Sequence, residues 1–154
     1  MDFELIIANG TVVDGTGRAC FRADLGLEDV RIAAIAIGQP LTGCGTLDAA
    51  GLIVAPGFID VHSHGDWILP LPDHDEILAP LVLQGVTTLV TGQCGLSPAP
   101  VTDRSIPLVD DSSEIARDRG FPYRWRSMGE FLDTLDGDGL LLNAAFLVGH
   151  GAAC

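Results

Sequence analysis

The sequence predicts an α/β protein: a small all-β module in residues 1–55, followed in residues 56–154 by parallel strands alternating with helices. Three observations carry this reading. The first third consists of short aliphatic runs separated by Gly- and Pro-containing turns. From Gly57 the grammar changes to strand, helix, strand, helix, strand, an alternation that favours a parallel sheet covered by helices. The second of those helices opens on a capping signal. An apolar fraction of 47% over 154 residues is sufficient to bury a core.

In chain order, Leu5-Ile6-Ile7-Ala8 and Thr11-Val12-Val13 flank Asn9-Gly10, a dipeptide suited to the positive φ values of a two-residue hairpin turn, so a β-hairpin is expected there. Further strands are expected at Ala23–Leu27, Val30–Ile37 and Leu52–Val54, punctuated by Gly38-Gln39-Pro40 and Gly43-Cys44-Gly45. After Pro56-Gly57 comes a strand at Phe58–His62, then a helical stretch at Asp75–Gln84 in which Pro80 should break a continuous helix unless one begins there. A strand follows at Val86–Thr91. The segment from Ser97 to Arg126, with Pro98, Pro100, Pro107 and Pro122, reads as a long irregular connection, a length usually associated with function or disorder. Ser127 followed by Glu130 is a capping box, and Phe131, Leu132 and Leu135 give that helix its apolar stripe. The last strand is Ala144–Val148.

Charge and composition exclude several function classes. With 21 acidic against 8 basic side chains, the net charge of −13 repels nucleic acid and anionic membrane surfaces, so neither is an expected partner. Every basic residue is Arg, so the chain offers neither a Schiff-base lysine nor a carbamylated lysine to bridge metals. No apolar run approaches the roughly 18 residues of a membrane span, and no secretory signal opens the chain, so a cytoplasmic protein is expected. The four cysteines, Cys20, Cys44, Cys94 and Cys154, show neither CxxC pairing nor disulfide-scaffold density.

The chemistry-bearing residues cluster after Gly57. His62 and His64 stand two apart on the expected strand, so both imidazoles leave one face and can converge on a single metal ion. Cys94, just past the second strand of this half, is either a zinc ligand as thiolate or a small buried residue. Asp66 could orient a ligand or touch substrate, or be an exposed loop carboxylate. His150 divides between a substrate-side or supporting role and a structural one. His74, among Asp73, Asp75 and Glu76, reads as a solvated residue at a helix start.

The string Pro56-Gly57-Phe58-Ile59-Asp60-Val61-His62-Ser63-His64 resembles the first barrel strand of the amidohydrolase superfamily. The stretch Gly92-Gln93-Cys94-Gly95 resembles the Gly-Asn-Cys-Gly loop of the N-acyl-D-amino-acid deacylases, with Gln93 where Asn is usual, and Asn143–Gly151 resembles their third strand with its Gly-His ending. The resemblance implies a β-sandwich-like N-terminal module and the first three strands of a metal-dependent (β/α)8 TIM barrel, incomplete within these residues. It implies one or two zinc ions, with His62, His64 and Cys94 as ligands. It implies a small-molecule N-acyl-D-amino acid substrate, hydrolysed to a D-amino acid and a carboxylate. The remaining histidine ligands and the general-base Asp are expected beyond residue 154, so the chain resembles an N-terminal fragment, inactive alone. Two other readings remain: a cyclic amidohydrolase of the hydantoinase or dihydroorotase type, which typically uses the carbamylated lysine missing here, and a non-catalytic remnant or barrel-completing subunit.

Overall fold

A computed structural model describes residues 2–153, which divide into two compact units between Pro56 and Gly57. The first unit is one five-stranded mixed sheet. Its strands are β1 (Phe3–Val12), β2 (Phe21–Glu28), β3 (Arg31–Ala36), β4 (Gly43–Asp48) and β5 (Ile53–Val54). The order is β3-β2-β1-β4, with β5 also beside β1; β1, β2 and β3 pair antiparallel, whereas β4 and β5 run parallel to β1. A second sandwich layer is absent from the described residues of this unit. Val12, Ala23 and Leu25 form its buried cluster.

Two expectations fail here, for separable reasons. Asn9-Gly10 is not a hairpin turn but lies inside β1, where the register with β2 shifts between Ile7 and Gly10. Asn9 takes φ of 62°, its N–H donates to Asp24 Oδ1 (2.8 Å) and its side-chain amide donates to Asp48 Oδ1 (2.9 Å). The positive φ that the dipeptide supplies is thus used for a β-bulge. The chain reverses instead at 13–20, where Asp14 accepts from the Thr16 N–H and hydroxyl. Gly43-Cys44-Gly45, read as a turn, opens β4; its two glycines and exposed positions hide the strand, since pairing with β1 rather than side-chain burial defines it.

The second unit carries the expected alternation. Strands β6 (Phe58–Asp60), β7 (Val86–Thr91) and β8 (Asn143–Phe146) form a parallel sheet in that order. Between them lie α1 (His74–Leu83), α2 (Ile106–Ser112), α3 (Glu114–Arg119) and α4 (Met128–Asp138), and α5 (His150–Ala153) follows β8. Pro80 sits within α1 without ending it. Pro80 and Glu76 are both exposed, so the carbonyl deprived of its helical donor faces water. His74 is half-buried rather than solvated, with Nδ1 2.9 Å from the Leu71 carbonyl oxygen.

The long connection is not irregular. It holds α2 and α3, and it supplies Ala99, Val101, Ala116, Phe121 and Trp125 to the core. Trp67, Phe121, Trp125, Phe131 and Phe146 pack in series with ring centroids 4.8–5.7 Å apart, mostly edge to face. The indole N–H of Trp125 donates to the Pro98 carbonyl at 2.7 Å, which pins the start of the connection to its end. Helix α4 begins as its capping box dictates: Ser127 Oγ accepts the Glu130 N–H and Glu130 accepts the Ser127 N–H. Phe131 and Leu135 are buried, whereas Leu132 faces outward. Among the described residues no helix is long and apolar enough to cross a membrane.

Candidate metal centre

The two histidines emerge where β6 gives way to a bend. Asp60 accepts the His62 N–H at 3.1 Å and turns the chain, while Ser63 N–H still donates to the Val90 carbonyl of the neighbouring strand (3.0 Å). His62 and His64 therefore lie just past the strand rather than on it. Their rings nonetheless stay together, with centroids 6.0 Å apart and planes at 72°. A single 3-10 turn, Gly65–Trp67, follows at once.

Cys94 arrives from the C-terminal end of β7 on a loop built from left-handed residues, with φ of 78° at Gly92, 59° at Cys94 and 76° at Gly95. A Cβ at Gly92 would run into the Leu147 carbonyl oxygen, so only glycine fits there. A non-glycine residue in this region costs ~1–2 kcal/mol, and Cys94 is held there by its surroundings. The Gln93 side-chain amide donates to the Val61 carbonyl (3.0 Å), tying the loop to the β6 end. The result places Cys94 Sγ 3.5 Å from His62 Nε2, on an exposed thiol rather than a small buried one.

Ligand atoms of His62, His64 and Cys94 all fall within 4.8 Å of one another. A tetrahedral zinc bound at about 2.0–2.1 Å to nitrogen and 2.3 Å to sulfur separates such a pair by ~3.5 Å. The observed His62–Cys94 separation fits that geometry, and two imidazoles with a thiolate form a donor set that zinc favours. All three side chains are exposed, which leaves a face open for a water or substrate ligand.

The neighbouring residues depart from the sequence reading. Asp66 is no exposed loop carboxylate: it is fully buried, one oxygen accepts the Gly92 N–H (3.1 Å), and the other has no partner. Burial raises its carboxyl to about 7, against the pull of backbone N–H groups at Gly92, Asp66 and Trp67. His150 opens α5 on the exposed surface after β8 and lies outside the three-ligand group. Ser97 was not singled out by sequence, yet it is buried, donates to the Ala99 carbonyl (2.6 Å) and accepts the Gly149 N–H (3.0 Å). With Gly151 N–H donating to Gly95 (2.9 Å), it stitches the cysteine loop to the end of β8. Only its place beside Pro98 in a glycine-rich loop hinted at such a role. Beyond Cys94, Leu96 and Ser97 turn into a cleft of about 450 Å³ whose walls include Trp67, Arg104, Leu108 and Ala152.

Histidines past one parallel strand and a cysteine past the next converge at the strands' C-terminal ends, the end at which α/β barrels build their sites. The chain is 41% identical over 149 residues to a D-aminoacylase of Alcaligenes xylosoxydans xylosoxydans, and 39% identical over 149 residues to an N-acyl-D-aspartate deacylase of the same organism. Each match covers 96% of this chain but only 29% and 28% of those relatives. Among solved structures it is similar to N-acyl-D-glutamate deacylase from Bordetella bronchiseptica complexed with zinc and a phosphonate inhibitor, with a TM-score of 0.81 at 34% identity over 99% of this chain and 30% of that one. A D-aminoacylase crystal structure gives a TM-score of 0.76 at 35% identity over 97% of this chain and 30% of that one. No family model matches. The chain belongs to the D-aminoacylase family of amidohydrolases, and it spans under a third of the length of the relatives it matches.

Proposed function

We propose that this chain carries part of the zinc site of a hydrolase that cleaves the amide bond of N-acyl-D-amino acids, releasing a D-amino acid and a carboxylate. The observation that carries the reading is the convergence of His62, His64 and Cys94, with thiol and imidazole 3.5 Å apart. Further support comes from relatives described as D-aminoacylase, N-acyl-D-aspartate deacylase and N-acyl-D-glutamate deacylase, and from a D-aminoacylase structure described as having a binuclear metal centre. In this reading residues 1–55 belong to a β-sandwich-like module and residues 56–154 form the first three strands of a (β/α)8 barrel.

Bound zinc supplies Lewis-acid polarisation of the scissile carbonyl and an acidified water. The chain's own part is to hold that chemistry in place. His62 and His64 offer neutral imidazole nitrogens from one bend, and Cys94 offers a thiolate from a loop whose left-handed turns fix its direction. In this reading His150, which opens α5 after the neighbouring strand, takes a substrate-side role, and the cleft beyond Leu96 gives a small amphiphilic molecule apolar walls with a guanidinium beside them.

The test is hydrolysis of N-acetyl-D-amino acids by the protein expressed at the full length of its natural reading frame. Release of the D-amino acid should require zinc, spare the L enantiomer, and disappear in Cys94→Ala together with bound zinc. Activity that persists after chelation, or a preference for hydantoin or dihydroorotate rings, would sink the reading.

A further inference from the structure

We propose that Asp66 is a positioning residue for Cys94: its buried carboxylate couples the segment that bears the two histidines to the loop that bears the thiol. This inference rests on His62, His64 and Cys94 being the metal ligands.

The argument begins with an oddity of burial. Asp66 is 0% exposed, in a stretch where Gly65, Trp67, Leu69 and Pro70 are also buried and the surrounding core is apolar. A buried carboxyl with an unpaired oxygen is costly, and an apolar side chain would fill the same space without that cost. A side-chain hydrogen bond crosses from the turn after His64 to Gly92, through the Gly92 N–H to Oδ2 at 3.1 Å. Gly92 is the first left-handed residue of the loop, two positions before Cys94, and it lies against the carbonyl of Leu147 so tightly that no side chain fits. The direction in which the loop leaves β7 is therefore set at Gly92, and Asp66 holds that amide from the side of the histidines.

Other ties across this gap behave differently. The Gln93 amide reaches Val61 on the exposed side, where water competes for both partners. The Ser63 N–H to Val90 carbonyl bond continues the strand ladder before the loop begins. The Asp66–Gly92 bond is shielded from solvent and sits at the point where the backbone changes hand, so it bears most directly on where the thiol arrives. Supporting residues of this kind typically change metal affinity about 10–100-fold when removed.

The experiment uses the full-length protein with cobalt(II) as the probe, reading cobalt affinity by competition and the thiolate-to-cobalt charge-transfer band. Asp66→Ala should bind cobalt ~10–100-fold more weakly and give a weaker charge-transfer band per bound ion. Asp66→Asn, which keeps the shape and an acceptor oxygen for the Gly92 N–H, should restore both. Asp66→Val, which likewise offers no acceptor to the Gly92 N–H, carries the same expectation as alanine and stands in where the alanine variant does not fold. Wild-type affinity and band in the alanine or valine variant, or an asparagine variant as impaired as either, would overturn the proposal. If the wild-type protein itself gave no thiolate band, the ligand assignment of Cys94 would fail first, and the two failures are thus told apart.

Discussion

At the scale of single residues, side-chain chemistry nominates candidate ligands, and tertiary packing decides their surroundings. His62, His64 and Cys94 stand out in the sequence as candidate ligands because ligand chemistry belongs to the side chain, although the two histidines meet in the bend after β6 rather than on one strand face. That the thiol approaches His62 to 3.5 Å depends on three left-handed residues, of which Cys94 itself is one, and side-chain chemistry does not announce a positive φ at cysteine. The burial of Asp66 was hidden for a related reason: an acidic residue in a loop is normally solvated, and only tertiary packing buries it. The loop's dependence on Gly92 gives a direct check. Gly92→Ala combines a φ of 78° with a collision against the Leu147 carbonyl, so it should destabilise the fold by more than about 1 kcal/mol in denaturant unfolding. It should also lower zinc content if Cys94 binds the metal as proposed, because the backbone must shift two residues before it. A variant with wild-type stability and zinc would show that the loop tolerates another path.

At the scale of elements, local signals succeeded where the whole cause was local. The capping box of α4 formed as written because Ser127 and Glu130 satisfy each other's backbone without help from elsewhere. Ser127→Ala should therefore cost about 1 kcal/mol, read as a lowered midpoint in thermal unfolding. An unchanged midpoint would mean that packing of Phe131 and Leu135 holds the helix start unaided. Signals failed where pairing partners decide. Asn9-Gly10 has the chemistry of a hairpin turn, but β2, β4 and β5 are all available to pair along one continuous strand, so the positive φ became a bulge. Likewise Pro- and Asp-rich composition made 97–126 look irregular, although its two helices are held by Phe121 and Trp125 entering an aromatic core formed with distant Trp67 and Phe131.

At the scale of the molecule, the parallel sheet is where physics and length meet. Parallel strands are ordinarily buried on both faces, and in β7 Leu89 and Thr91 are fully buried. In β6, by contrast, Phe58 and Ile59 are 62% and 61% exposed, and Val61 just beyond is 69% exposed. Beyond β8, Leu147 and Val148 are each half exposed. Such apolar positions beside unpaired strand groups form a template for association. The relatives are more than three times as long, which makes additional strands and helices of the kind proposed above the natural cover for these surfaces. A polypeptide limited to residues 1–154 should accordingly self-associate in size-exclusion chromatography, bind a hydrophobic dye, and show no deacylase turnover even with zinc supplied. Replacing the edge residues, as in Phe58→Lys with Val61→Lys, should shift it toward monomer, because charge on an exposed strand opposes edge-to-edge pairing. The same two substitutions in a chain of the relatives' length should instead destabilise it, since there the positions are expected to be covered. If residues 1–154 alone proved monomeric and dye-free, the exposed β6 would be tolerated as an ordinary edge, and the argument for covering strands would lose its physical support.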